Sequence, residues 1–216
     1  MRSRRQRFSD STKQALVDEA ERLFTEHGYS GTSLDAIVAG ADVTKGALYH
    51  HFSGKQAIFE AAFERVESRA TAGIARATEG DGDPWLKAQA GLRAFLEAVQ
   101  EPGYRQIVIS DGPSVLGHER YREQEERSTY GIVDAIVRSV LTDTDWDLDD
   151  AMLDTFARIF FGAMSAAGGS VAASDDAATA ALRVEAAIGF ILAGLQRLLE
   201  DGAEPPAPST GATSRT

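Results

Sequence analysis

The chain has no cysteine, which excludes a disulfide framework and a thiolate metal site. Histidine is scarce as well, with 4 in 216 residues. Its one adjacent pair, His50-His51, would point about 100° apart on a helix, a poor arrangement for sharing an ion. The acidic run over 143–150 resembles the start of a calcium loop. However, its sixth position is Leu148 where the turn needs glycine, and its twelfth is the short Asp154. It reads instead as a solvated loop whose Asp147 caps the helix that follows. No nucleophile–base–acid set is present. Ser114 and His118 lie one helical turn apart without a third partner. Neither an enzyme nor a cofactor is expected. There is also no apolar run long enough to cross a bilayer and no apolar signal region behind the N-terminal arginines. These absences predict a soluble, cytoplasmic protein.

Net charge is −11, but it is unevenly divided. Residues 1–58 carry a net +1 and residues 59–216 a net −12. Arg2, Arg4, Arg5 and Arg7 all precede the first acid. Such an arm can follow phosphates or enter a minor groove, or it can be a solvated terminus. The acidic remainder would keep nucleic acid away from every face but one.

The densest pattern runs from Thr32 to Lys55. Thr32 or Ser33 can cap a helix whose apolar face is Leu34, Ile37, Val38 and Ala41. Gly40 and Asp42 break it, and Thr44 can cap the next. Val43, Ala47, Leu48 and Phe52 give the second helix a buried side. Lys45, Gly46, Tyr49 and His50 fill the other. Hydrogen-bond donors and flat rings on a slender helix suit a major groove, and the pair has the layout of a helix-turn-helix. His51 is expected to hold the helix or touch phosphate. Lys55 opens a further helix near where a phosphate would pass.

These residues resemble the tetracycline-repressor (TetR) family of one-component bacterial regulators. The resemblance rests on Phe24, Gly28, Tyr29, Thr32 and Ser33, followed by Ile37, Val38, Ala41, Val43, Lys45, Gly46, Leu48, Tyr49, His50, His51, Phe52 and Lys55. It covers roughly the first quarter of the chain. Family members usually carry Ala-Gly where this chain has Gly40-Ala41, which moves the turn glycine one place earlier. The candidate DNA contacts are Arg4, Arg5, Thr32, Ser33, Thr44, Lys45, Gly46, Tyr49, His50, His51 and Lys55.

The rest reads as helical. A first helix over 10–27 carries Leu16, Ala20, Leu23 and Phe24 and ends at Gly28. A fourth runs from near 54 to about 78, with Phe59, Ala62, Phe63 and Val66 inward, and forms the lever between two domains. Breakers at 80–84 precede an amphipathic helix over 85–100 with Leu86, Leu92, Phe95, Leu96 and Val99 as core candidates. A short apolar helix over 104–110 is cut by Asp111-Gly112-Pro113, and a longer one spans 114–141. Two final helices cover 148–173 and 175–200. The fold class is therefore all-α. The expected divisions are an arm (1–9), a DNA-binding head (10–55), a helical ligand-binding and dimerisation domain (56–201) and a disordered tail (202–216).

The last two helices are apolar around more than half their girth, with small residues at Gly162, Ala166, Gly169, Ala186, Gly189 and Ala193. One side can face the chain's own core and the other a symmetry mate, in a four-helix bundle. The family resemblance implies the same homodimer on palindromic double-stranded operator DNA. It also implies an unidentified small-molecule effector in the C-terminal helices. Candidates to line its pocket are Tyr104, Arg105, Val108, Leu116, His118 and Tyr121, with Tyr130, Phe160 and Met164. The expected function is a repressor released from DNA by ligand. The alternative is a helical carrier or enzyme that keeps the N-terminal helices without operator control.

Overall fold

The computed structural model describes residues 4–142, 146 and 148–203, with residues 4–8 described in backbone only. Residues 1–3 of the arm, Asp143, Asp145 and Asp147 of the acidic run, and the tail from 204 lie outside the described residues. Every described element is helical: α1 (Arg4–Gly31), α2 (Leu34–Gly40), α3 (Lys45–His51), α4 (Lys55–Thr78) and α5 (Pro84–Gln100). After a π-helical segment (Tyr104–Asp111) come α6 (Gly112–Leu116), α7 (His118–Glu125), a π-helical turn (Glu126–Tyr130), α8 (Gly131–Leu141), α9 (Asp150–Ala172) and α10 (Ala177–Glu200).

The first helix starts at Arg4, well before the expected position 10, so the basic residues Arg4 and Arg5 belong to its first turn and not to an extended arm. Gly28 ends the regular helix as expected, at φ 67° and ψ 175°. The position has two demands. Its backbone is left-handed, and a Cβ there would meet Gln106 Nε2 at 3.1 Å. The carbonyls freed by this break are answered by Thr32, whose hydroxyl lies 3.1 Å from Leu23 O and 2.9 Å from Gly28 O. Thr32 is 3% exposed. Ser33 is the N-cap of α2, accepting from Ala36 N–H. Replacing Thr32 by valine keeps its shape but leaves buried carbonyls without a donor. A loss of about 1–3 kcal/mol is expected in urea unfolding, and an unchanged midpoint would contradict this role.

The turn between α2 and α3 divides the work of its two expected breakers. The left-handed residue is Asp42, at φ 52°, and neither Gly40 nor Ala41. Asp42 N–H bonds Ala39 O at 3.3 Å and Val43 N–H bonds Val38 O at 3.2 Å, the paired bonds of a Schellman ending. Asp tolerates this conformation better than most side chains. Gly40 serves a different need, because a Cβ there would sit 2.0 Å from Glu19 Oε1.

Three apolar cores hold the chain. In the first, Leu16, Phe24, Ile37, Leu48, Ile58, Phe59 and Phe63 are all 0–1% exposed. Phe24 meets Phe59 edge-on at 5.2 Å. This core also takes in Ile107, Val108 and Leu116, so it crosses the boundary expected at residue 55. The second joins Ile74 of α4 to Leu92, Phe95, Leu96 and Val99 of α5 and to Val171 and Ala181. The third packs Val137, Val140 and Leu141 against Leu153 and Ala157. Thus α4 has one end in the first core and the other in the second, as a lever requires.

Other boundaries shift for physical reasons. Asp111-Gly112-Pro113 does not cut the chain, because Pro113 lies in the first turn of α6, where its missing N–H costs nothing. The break comes at Gly117, at φ 81°. Leu86 is exposed rather than core. The cap of α9 is Asp149, whose side chain accepts from Met152 N–H at 2.8 Å, in place of Asp147. Finally, α10 is long and apolar enough to cross a bilayer by length and composition, which corrects the expectation that no such run exists. Its Glu185 pairs with Arg93 of α5 at 3.1 Å.

Candidate functional site

Leu48 and Phe52 anchor α3 in the first core, and Thr44 caps it by accepting Ala47 N–H at 3.2 Å. That orientation turns Lys45, Gly46, Tyr49 and His50 to solvent. Tyr49 is 60% exposed, unusual for a large ring with no packing role in its own chain. A Cβ on Gly46 would meet nothing nearer than Thr44 Oγ1 at 3.8 Å, so internal packing gives no reason for glycine there. Lys45 Nζ lies 2.7 Å from Asp35, and that hydrogen bond raises its pKa. Both groups are exposed. Such a pair is weak, so an approaching phosphate can take the carboxylate's place.

His51 is half-buried, and burial, then the neighbouring His50, lowers its pKa and favours the neutral ring. Ser33 and Thr44 are exposed while they cap their helices. Thr32 is a correction. It is buried with its hydroxyl turned inward, which removes it from the candidate DNA contacts. Lys55 is the first residue of α4, and its ammonium stands 4.3 Å from the centre of the Tyr29 ring. The side chains of Arg4 and Arg5 lie outside the described residues.

The body of the protein encloses a cavity of about 270 Å³. Of the candidate lining residues, Tyr104, Tyr121, Phe160 and Met164 are in its wall. The other five are not. Val108 and Leu116 are packed in the first core, and His118 is exposed. Arg105 is half-buried away from the cavity. Tyr130 turns its hydroxyl to Asp154 at 2.5 Å and its ring edge-on to Phe161.

Two acidic wall residues, Glu67 and Glu125, were not among the candidates. Glu67 is 6% exposed and accepts from Ser128 Oγ at 2.9 Å. Burial pushes its pKa up to about 7. Glu125 accepts from Tyr121 OH and Ser165 Oγ, each at 3.3 Å, and burial raises its pKa too. Tyr104 and Tyr121 are shifted upward by burial and by these carboxylates. Glu67 had a signal in the sequence, since it stands one turn after Phe63, on the apolar face of α4. Glu125, in a short polar helix, had none.

Two elements join the cavity to the head. α4 supplies Glu67 and Ile74 to the wall, and Phe59 and Phe63 to the first core, which also holds Leu48 of α3. The π-helical segment supplies Tyr104 and Ile109 to the wall and ends at Asp111. Asp111 Oδ2 accepts from Gln106 at 3.0 Å and from Tyr29 N–H at 2.7 Å. The ring of that same Tyr29 lies under Lys55.

Residues 16–62 match the model of bacterial regulatory proteins of the tetR family, and residues 85–195 match the tetracyclin repressor-like C-terminal domain. The chain is 30% identical to the transposon Tn10 TetC protein of Escherichia coli over 131 residues, which are 61% of this chain and 66% of that protein. It is 44% identical over 48 residues, 22% of this chain and 26% of the relative, to IcaR of Staphylococcus aureus, a negative transcriptional regulator of the biofilm operon icaADBC. The chain thus spans less than two thirds of these relatives' own lengths. A solved TetR-family transcriptional regulator from Pectobacterium atrosepticum superimposes with a TM-score of 0.76 at 25% identity, over 90% of this chain and 97% of that one. With one model covering the head and a second covering half of the chain, the protein belongs to the tetracycline-repressor family of transcriptional regulators, a family of regulators and not of enzymes.

Proposed function

We propose that the protein is a repressor that binds operator DNA as a homodimer and is released when a small molecule fills the cavity. The observation that carries this reading is that α4 shares the first core with the reading helix, packing on the α1 helix that α3 rests against, and walls the cavity at its other end. A guest wedged against Glu67 or Tyr104 shifts α4 and the π-helical segment, and with them the spacing of two reading heads. Ligand and DNA then favour different conformations, and each weakens the other's binding. The relative named as a negative regulator favours repression over activation.

Dimerisation uses the outer faces of α9 and α10. Ile159, Leu182, Phe190, Ile191 and Leu198 are exposed there. Gly162 and Gly189 have open space where a Cβ would project, which lets a second helix come close. A face this apolar on a long amphipathic helix calls for a partner, and a two-fold mate supplies the same face in return.

The test is binding to a DNA fragment selected from random sequence. Tyr49→Ala and Lys45→Ala are each expected to weaken binding about tenfold, and Lys55→Ala to lower the salt slope by about one. Wild-type behaviour in all three variants would count against the reading face.

A further inference from the structure

The cavity wall is apolar and aromatic apart from Thr129, Ser165 and two acids, Glu67 and Glu125, which lie close enough for the charge of Glu125 to act on Glu67. Among the described residues no lysine, arginine or histidine lines the cavity, and neither carboxyl has an ion-pair partner. Each has spare capacity as an acceptor. Glu67 uses Oε1 for Ser128, and Glu125 uses Oε1 for Tyr121 and Ser165. Neither Oε2 takes a hydrogen bond from a described residue. Tyr104 and Tyr121 share the wall with the pair, and the Tyr121 hydroxyl donates to Glu125.

From this arrangement we propose that the effector is a lipophilic organic cation, an amine or quaternary ammonium, whose charged head sits between Glu67 and Glu125. The proposal deepens the ligand-released reading above and rests on it for its regulatory meaning. An anionic guest meets an acidic pair with no cation among its lining residues to offset its charge, which is unfavourable in a low-dielectric site. A neutral guest leaves the carboxyls to bear their desolvation alone. A cation offsets both, and it gains from the aromatic faces nearby while its apolar body fills the remaining wall. Burial already favours the protonated form of Glu67, so an arriving cation displaces a proton from a group poised near neutrality. Glu67 lies on α4, so the head of the guest pulls on an element that shares the first core with the reading helix.

The test uses three probes of equal chain length: octyltrimethylammonium, octanol and octyl sulfate. Binding to the full-length protein is followed by calorimetry without DNA. The cation is expected to bind at least about tenfold more tightly than either other probe, the ratio that one lost charge pair supports. Glu67→Gln and Glu125→Gln should each lower cation affinity about tenfold and leave octanol affinity unchanged or raised. Thermal melts check that both variants fold, and either one suffices if the other does not. Octanol or octyl sulfate binding as well as the cation, variants holding the cation as tightly as wild type, or no binding by any probe would each overturn the proposal. A separate arm adds the cation to the protein on its selected DNA. Cation binding without release leaves the site standing and sinks only the ligand-released reading. Failure to bind any DNA sinks only the repressor reading.

Discussion

Replacing Phe190 by glutamate is expected to split the protein into single subunits and to lower operator affinity by about a hundredfold or more. Phe190 is 80% exposed in the lone chain, on a helix where Leu182, Ile191 and Leu198 are exposed as well. Burying a phenylalanine is worth about 1.5–3 kcal/mol, and a two-fold interface contains each residue twice. Glutamate removes both contributions and adds two carboxylates that cannot be paired across an apolar seam. The outcome should be read in sedimentation equilibrium and in DNA-binding anisotropy on the same samples. Two reading heads on one duplex act by effective concentration, so losing the partner costs far more than losing one contact. A variant that stays dimeric would place the interface elsewhere.

The second large effect concerns Glu67 and carries a definite sign. The folded-state pKa is about 7, above the ordinary carboxylate value of 4.5, and burial is the chief cause. The folded protein therefore holds a proton that the unfolded chain releases between these two values. Stability from this group is complete below about pH 4.5, declines as pH rises toward 7, and is flat above. The shift corresponds to about 3 kcal/mol. Glu67→Gln keeps the shape and the acceptor for Ser128 while it removes the charge. Above pH 7 the variant should be more stable than wild type by about that amount, and the gain should vanish by about pH 4.5. The groups that act on Glu67 are Glu64 on its own helix and Glu125 from α7, with Ser128 opposing them. All are unchanged in the variant, so the difference between the two proteins isolates Glu67. Urea unfolding at a series of pH values measures it. A variant less stable than wild type above pH 7 would mean that the carboxylate is well solvated or paired.

The head was readable from sequence because its signals are local. Leu48 and Phe52 face inward and Lys45, Tyr49 and His50 face outward, as the helical spacing from Thr44 requires. Thr32 could not be assigned the same way. A hydroxyl next to a helix start suits a cap, and only the fold shows that Ser33 takes that role while Thr32 closes the end of the preceding helix. The turn was readable in its residues but not in their roles. Gly40 and Asp42 were both expected to break the helix; Asp42 holds the left-handed position, and Gly40 answers to Glu19 on another helix. The cavity was half visible. Its aromatic wall comes from several helices, and the stretch around Asp111 supplies Tyr104 and Tyr121 but leaves Val108 and Leu116 in the head's core. The acidic end depends on α4 and α7 meeting, a long-range contact with no periodicity in the chain.

The most direct measurement is selection of bound duplexes from random DNA by the purified wild-type protein at moderate salt. A dimeric reader enriches inverted repeats whose half-sites are separated to suit consecutive major grooves on one face of the helix, and the same fragments fail to enrich with Phe190→Glu. Enrichment of a single unrepeated element, or of nothing at all, would contradict a two-headed DNA reader.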